Sequence, residues 1–248
     1  MIKIKTEKEI KIMAEGGKKI AQILEKLKKK LKSGITTKEL DELAEKLILK
    51  SGGEPNFKGY EGFPATICTS INEEVVHCIP SERKLKKGDI VSLDIGMKYK
   101  GFHTDMAKTF PIGEISFETK SLIKITKKAL KRGIKKTKIG NTIGDVSNTI
   151  QRYVETQKLG VIRELAGHGI GRDLHEDPQI PNFGKRHTGE KIKQGMVFCI
   201  EPMVTTGHWK LKEAEDGFGF KTKDNSLACH FEDMIAITKN GPIVLTNL

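Results

Sequence analysis

The fold is decided by a frame that reads Lys86-Lys87-Gly88-Asp89-Ile90-Val91-Ser92-Leu93-Asp94 and, 107 positions later, Lys193-Gln194-Gly195-Met196-Val197-Phe198-Cys199-Ile200-Glu201. In each copy a mostly apolar run follows a glycine, and a carboxylate lies six residues after that glycine. A carboxylate at the end of a buried strand is costly unless it is paired or bound to a metal. Two such carboxylates at one repeat spacing predict a duplicated fold that brings acidic groups together at a central site.

Predicted helices repeat with a similar spacing. We expect helices from about Thr6 to Leu31, from Thr36 to the glycines at 52 and 53, from about Phe117 to Lys136, and from Thr142 onward. Thr36 and Thr142 each precede an acidic residue by three positions, which is the pattern of a capping box. Residues 34–40 also align with residues 140–146 at an offset of 106.

These offsets predict the fold class and the domain organisation. We expect an α+β protein with an antiparallel sheet core, helices outside and pseudo-twofold symmetry. Residues 1–248 should form a single domain, with pseudo-repeats at about 1–115 and 116–248.

Composition narrows the class of protein. Hydrophobic residues make up 37% and charged residues 31%, as in soluble globular proteins. No apolar run of about 18 residues is present to cross a membrane, and the first residues are too polar for a secretory signal, so we expect a cytoplasmic protein. The four cysteines form no Cys-x-x-Cys pair, which favours free thiols over structural zinc or a disulfide framework.

The net charge of +12 raises the question of an anionic partner. All but six of the 44 basic residues are lysines, and aromatic residues amount to only 6%, so sequence-specific nucleic-acid recognition is not expected. Lysine-rich helix faces such as 26–32 and 124–138 are compatible with transient ribosome association. A solvated, lysine-biased surface is the alternative.

Four acidic residues and one histidine form the candidate metal site. A turn centred on Tyr99-Lys100 would place Asp94 and Asp105 directly opposite each other on adjacent strands, where two like charges repel unless a cation separates them.

The second half offers an equivalent pair, Glu201 and Glu232, whose spacing is 31 residues where the first pair has 11. We expect the extra residues to form a surface loop, and Glu232 to lie within a strand over 227–237. Four buried carboxylates call for two divalent cations. His168, flanked by glycines, adds a nitrogen ligand, and this mixed donor set suits Mn, Fe, Co or Zn.

The motifs around these residues resemble the type I methionine aminopeptidases over nearly the whole chain. The matching segments are residues 71–80, Asp94-Ile95-Gly96, Thr104-Asp105, Gly167-His168-Gly169-Ile170-Gly171-Arg172, Leu174-His175-Glu176-Asp177-Pro178 and Ile200-Glu201-Pro202-Met203. The resemblance implies a single catalytic domain with the duplicated pita-bread fold. It also implies metal-dependent removal of the initiator methionine from nascent polypeptides that have a small second residue.

The resemblance further implies a role for each ligand. Asp94 would bind one metal, Asp105 and Glu232 would bridge both metals, and His168 and Glu201 would bind the other. The two metals would share a water or hydroxide as nucleophile. Glu201 would then act as the general base.

Two further histidines lie in matching motifs. The resemblance implies that His77 contacts the substrate and that His175 donates a hydrogen bond to the oxyanion. Because an isolated histidine is more often structural, we expect His187, His208 and His230 to have structural or surface roles.

The resemblance also implies an apolar pocket for the methionine side chain, with His77 and His175 beside it; by position its candidates are Tyr60, Phe63, Cys68, Leu174 and Phe218. For Phe63 and Cys68 an ordinary core role is the alternative. Leu174 stands where an aromatic residue is usual in the family, and Phe218 where tryptophan is usual.

Two other functions compete with this interpretation. One is an Xaa-Pro aminopeptidase or prolidase, whose members usually carry a separate N-terminal domain. The other is a non-catalytic pita-bread binding module, which would be expected to lose metal ligands. We expect a monomer that acts on nascent-chain N-termini and does not bind membranes.

Overall fold

The computed structural model describes residues 1–248. Its α-helices are α1 (Glu7–Lys28), α2 (Thr37–Lys50), α3 (Phe117–Lys136) and α4 (Ile143–Thr156). Its strands in the first half are β1 (Glu54–Pro55), β2 (Ile67–Ile71), β3 (Glu74–Val76), β4 (Ile90–Tyr99) and β5 (Phe102–Pro111). Those in the second half are β6 (Gly160–Val161), β7 (Ala166–Gly169), β8 (Glu176–Pro181), β9 (Val197–Ile200), β10 (Met203–Thr205), β11 (Leu211–Glu213), β12 (Phe220–Thr222), β13 (Ala228–His230), β14 (Asp233–Thr238) and β15 (Gly241–Val244).

Side-chain caps fix where the helices begin. Thr6, Thr36 and Thr142 each form a capping box with the acidic residue three positions later, which satisfies backbone N–H groups that have no partner within the helix. Ser116 caps α3 in a similar way, by accepting a hydrogen bond from the backbone N–H of Thr119. None of the helices combines the length and apolarity that crossing a bilayer requires.

The hairpin of β4 and β5 corrects the predicted register. The turn residues are Lys100 and Gly101, with φ angles of 48° and 82°, so Asp94 lies opposite Ala107 and Asp105 lies opposite Gly96. Two consecutive residues with positive φ are typical of the type I′ turn, which favours glycine at its second position. The two aspartates are therefore diagonal neighbours on one sheet face rather than directly opposed.

The predicted strand over 227–237 is also corrected, because it is two strands in two sheets. β13 pairs with β10, whereas β14 pairs with β9, and Phe231 and Glu232 lie in the break between them. Glu201 and Pro202 form the matching break between β9 and β10. The β9–β14 pair therefore belongs to one sheet and the β10–β13 pair to another, and the chain passes between the two sheets at Glu201 and at Glu232.

The extra residues of the second half form more than a surface loop. β11 pairs with β12, and β12 pairs in turn with β3 of the first half. This hairpin therefore joins the two halves at one side of the site.

Equivalent backbone contacts in the two halves support the proposed duplication. Thr36 forms a β-bridge with Lys84, and Thr142 forms one with Lys191. The buried apolar residues of one core all lie between positions 20 and 112. Those of a second core lie between positions 122 and 237, apart from Ile90. Each core packs a pair of helices against its own sheet, and the candidate site lies between the two sheets.

Candidate metal centre and active site

Four carboxylates and one imidazole meet between the two sheets. His168 Nε2 lies 4.0 Å from Asp105 Oδ2, 3.9 Å from Glu201 Oε1 and 4.0 Å from Glu232 Oε1. Carboxylate oxygens of Asp94, Asp105 and Glu232 lie within 4.8 Å of one another. The structure therefore brings together all five residues that were predicted as metal ligands.

Hydrogen bonds to the main chain hold the two glutamates in place, and one of them joins the two halves. The N–H of Glu232 donates a hydrogen bond of 2.8 Å to the carbonyl of Ala107 on β5. The side-chain amide of Asn182 donates one of 3.0 Å to the carbonyl of Glu201. The strand breaks are thereby anchored on both sides, so that both glutamates are directed inward.

The glycines around His168 allow close backbone approach. A Cβ on Gly167 would lie 2.5 Å from the carbonyl oxygen of Cys199, and one on Gly169 would lie 2.1 Å from that of Asp177. His168 Nδ1 lies 3.0 Å from the Gly169 carbonyl. A proton on Nδ1 that donates to this carbonyl leaves the Nε2 lone pair directed at the carboxylates, which is the tautomer that a metal ligand needs.

The electrostatics of the cluster favour bound cations. Burial raises the pKa of Asp105, Glu201 and Glu232 well above the usual range for carboxyl groups, and the negative charges of neighbouring carboxylates raise it further. Burial also raises the pKa of Asp94. Burial lowers the pKa of His168 to about 3, so this imidazole is neutral and supplies no positive charge. Four negative charges in this position need compensation from outside the protein.

The unpaired oxygens of the cluster fit a divalent metal. Asp94 Oδ1, Asp105 Oδ1 and Glu232 Oε1 are buried and have no hydrogen-bond partner in the protein. Buried polar atoms are nearly always satisfied, and oxygen ligands of this kind suit divalent cations. Cys199 also lies near His168 and Glu232, but burial raises the pKa of its thiol well above the ordinary value and keeps it protonated.

His77 and His175 lie at the mouth of the site. The ring of His175 packs edge-on against that of His168, with centroids 4.3 Å apart, and its Nδ1 lies 2.9 Å from the Tyr60 hydroxyl. His77 has a φ of 60° and lines both the cavity beside the carboxylates and the groove that leads out of it. Both histidines are therefore within reach of a molecule bound at the centre.

A cavity of about 380 Å³ has the metal cluster in one wall and apolar side chains in another. All five residues predicted for the methionine pocket line it: Tyr60, Phe63, Cys68, Leu174 and Phe218. Phe63 and Phe218 pack edge to face with centroids 5.5 Å apart, so the β11–β12 hairpin supplies one wall. Phe57 and Phe220 also line the cavity and were not predicted. Phe220 lies two residues after Phe218, and residues with this spacing share one face of an extended strand, so Phe220 could have been predicted as a lining residue.

Three histidines agree with the structural or surface roles that were predicted for them. His187 and His208 lie at the surface, whereas His230 is buried and its Nε2 lies 3.2 Å from Glu201 Oε2. The closeness of His230 to Glu201 was not predicted, because the two residues lie in parts of the chain that are distant in sequence.

Comparison with known proteins agrees with this geometry. Residues 11–239 match the model of metallopeptidase family M24. The chain belongs to the methionine aminopeptidases of metallopeptidase family M24. It is 48% identical to methionine aminopeptidase of Clostridium perfringens, over 99% of each chain, and 48% identical to methionine aminopeptidase 1 of Bacillus subtilis, over 100% of each.

Solved structures of this metallopeptidase family share the fold. The crystal structure of methionine aminopeptidase from Thermotoga maritima superposes with a TM-score of 0.98 at 44% identity, covering 100% of both chains. Prolidase from Pyrococcus furiosus is only 22% identical; it has a TM-score of 0.79, and the match covers 99% of this chain and 65% of that one, so it shows the fold alone. The architecture is the pita-bread fold. Membership of a metallopeptidase family implies a divalent metal, and the five converging donors fit one.

Proposed function

We propose that this protein removes the N-terminal methionine from nascent proteins and peptides whose second residue is small, and that it does so in the cytoplasm. The observation that carries this proposal is the placement of five metal-ligating side chains in the wall of a cavity of about 380 Å³ whose other wall is apolar. A methionine side chain in that cavity would bring its own carbonyl to the carboxylate cluster. The names of the 48%-identical relatives support the same substrate.

Two divalent cations would occupy the centre, with Asp105 and Glu232 holding both of them. Asp94 would complete one site, and His168 and Glu201 the other. When bound, such cations lower the pKa of water and polarise a carbonyl oxygen. Cobalt, manganese, iron and zinc all accept this donor set.

Three side chains of the site would have different roles in the reaction. Glu201 would take the proton of the attacking water and return it to the departing amine. His175 would donate from Nε2 to the developing oxyanion, because its Nδ1 is occupied by the Tyr60 hydroxyl. His77 would contact the peptide beyond the scissile bond, where a groove of about 620 Å³ leaves the site.

A basic groove between α3 and α4 is the proposed place of transient ribosome contact. It is lined by five cationic side chains and by no acidic one: Lys128, Arg132, Lys136, Arg152 and Arg186. Half of the six arginines of the chain converge there, and guanidinium groups match the geometry of phosphates. We propose that the protein acts there as a monomer.

Peptide hydrolysis tests the proposed activity. We expect the metal-loaded protein to cleave Met-Ala-Ser and to leave an Xaa-Pro peptide intact. Cleavage of only the Xaa-Pro peptide would identify a prolidase-like enzyme, and cleavage of neither would favour a binding module. Glu201→Gln should abolish turnover while circular dichroism shows an unchanged fold, and near-normal activity would remove Glu201 from its role as base.

Co-sedimentation with ribosomes tests the partner. Binding should weaken steeply as salt rises, because exposed charges are screened. Replacing Arg132 and Arg152 with glutamate should abolish it, whereas the same change at the exposed Lys8 and Lys11, outside both lysine-rich faces, should have little effect. Equal effects of the two pairs would assign the contact to net charge rather than to the groove.

A further inference from the structure

His230 is a buried histidine that the proposed chemistry does not use. Its side chain is 1% exposed, and its Nε2 lies 3.2 Å from Oε2 of Glu201. His230 lines neither the cavity nor the groove, so it stands behind the wall of the site and does not contact substrate. Neither ring nitrogen of His230 has a hydrogen-bond partner of good geometry, and Glu201 Oε2 is an acceptor within reach of Nε2. Buried polar atoms are nearly always satisfied, so an unpartnered Nε2 that faces a carboxyl group calls for a specific role.

The main chain of His230 is fixed to the first half of the protein. Its N–H donates to the Thr109 hydroxyl at 3.0 Å, and that hydroxyl donates to the His230 carbonyl at 2.8 Å. Because the Thr109 proton is used in this way, the Ser92 hydroxyl, 2.8 Å away, must donate to Thr109. His230 is thus anchored to β4 and β5, the strands that carry Asp94 and Asp105.

The two oxygens of Glu201 face different histidines. Oε2 faces His230, whereas Oε1 faces His168 at 3.9 Å. Met203, two residues after Glu201, lies opposite His230 in the β10–β13 ladder, so the backbone on both sides of the contact is paired. This arrangement leaves Oε1, with both of its lone pairs, available to the centre of the site.

We propose that His230 is a positioning residue whose Nε2–H donates to Oε2 of Glu201 when metal binds, and that it thereby holds Oε1 toward His168 and the metal it would share. The inference rests on the proposed metal-binding role of Glu201. Hydrogen bonds from outside the ligand set orient ligating carboxylates, and losing one typically lowers metal affinity or activity by about 10- to 100-fold.

Three variants separate this role from packing. His230→Leu keeps the volume but removes the donor. His230→Gln places an amide nitrogen close to the position of Nε2, whereas the amide of His230→Asn is too short to reach Glu201. Cys229→Ala is the matched control, because Cys229 is the buried neighbour of His230 on β13 and packs into the hydrophobic core of the second half, away from Glu201.

The test is calorimetric titration of each metal-free protein with Mn²⁺, with thermal unfolding as the check on folding and Met-Ala-Ser hydrolysis as a second readout. We expect His230→Leu to bind Mn²⁺ about 10- to 100-fold more weakly, and His230→Gln to recover to within about threefold of the unaltered protein. Cys229→Ala should bind normally even where it unfolds earlier.

Two results would overturn the proposal: a folded His230→Leu with unchanged affinity, or His230→Gln as weak as His230→Asn. The Gln and Asn comparison decides the matter if His230→Leu does not fold. Because affinity is measured without substrate, loss of the proposed peptidase activity in the unaltered protein would be seen separately from failure of this inference.

Discussion

The hydrogen bond between Tyr60 and His175 gives the sharpest prediction about catalysis. The Tyr60 hydroxyl lies 2.9 Å from His175 Nδ1. If Nε2 must carry the proton to serve as the oxyanion donor, the tyrosine hydroxyl donates to Nδ1 and fixes that tautomer. Tyr60→Phe keeps the aromatic ring in the methionine pocket but removes this donor.

The expected decrease in kcat differs between the two substitutions, because each removes a different hydrogen bond. His175→Ala removes the oxyanion donor itself and should lower kcat by about 100-fold or more. Tyr60→Phe removes one neutral hydrogen bond, worth about 1 kcal/mol, and should lower kcat by about fivefold. Because the tyrosine acts through the histidine, adding Tyr60→Phe to His175→Ala should cost less than about twofold more.

Steady-state hydrolysis of Met-Ala-Ser at saturating metal measures all four forms of the enzyme. Metal affinity serves as the control, since neither residue is a proposed ligand. A Tyr60→Phe effect of the same size in both backgrounds would refute the tautomer argument. A His175→Ala variant with near-normal kcat would remove His175 from the oxyanion site.

Two further predictions concern stability. The Lys5 ammonium lies 2.6 Å from Glu176 Oε2, and both side chains are almost fully buried. Glu176 keeps the Lys3 ammonium, 3.5 Å away, when Lys5 is removed, so Lys5→Ala should lower the free energy of unfolding by about 1.5–3 kcal/mol in urea titration; a loss below about 0.5 kcal/mol would contradict this. In the metal-free protein, burial raises the pKa of Asp105 and Glu201, so the folded state binds more protons than the unfolded state and the stability from these groups is lost as pH rises. The loss of stability should begin above about pH 4, where the carboxyl groups of the unfolded chain ionise, and the melting temperature should fall from there as pH rises. The buried, neutral His168 contributes an opposite rise that ends near about pH 6.5. The fall should be much smaller after metal is added, and equal pH dependence with and without metal would contradict this.

Much of the fold follows from local signals in the sequence. The bounds of α3 are as predicted, Phe117 to Lys136, and the capping threonines mark where three other helices begin. Such signals depend on neighbours within a few residues of one another. They are therefore visible without knowledge of tertiary contacts.

The errors arise where local pattern leaves more than one solution. The β4–β5 turn could centre on Tyr99-Lys100 or on Lys100-Gly101, and the glycine favoured the second because both turn residues have positive φ. The break at Phe231 and Glu232 has no local signal of this kind. It arises because β13 and β14 pair with strands of two different sheets.

The candidate site also has parts that local sequence signals predict and parts that depend on tertiary contacts. The repeat and the motifs identify the five metal donors, because buried carboxylates at related positions are costly unless they converge on cations. The sequence predicted a structural or surface role for His230 but not its closeness to Glu201, because the two residues are distant in sequence. Tertiary pairing alone brings the two side chains within 3.2 Å.

Anomalous diffraction from crystals soaked in Mn²⁺ tests the central claim most directly. Two ions should be found between the sheets, both bound by Asp105 and Glu232, with Asp94 on one ion and with His168 and Glu201 on the other. Manganese elsewhere in the protein, or no ion bound by these five side chains at saturating concentration, would contradict it.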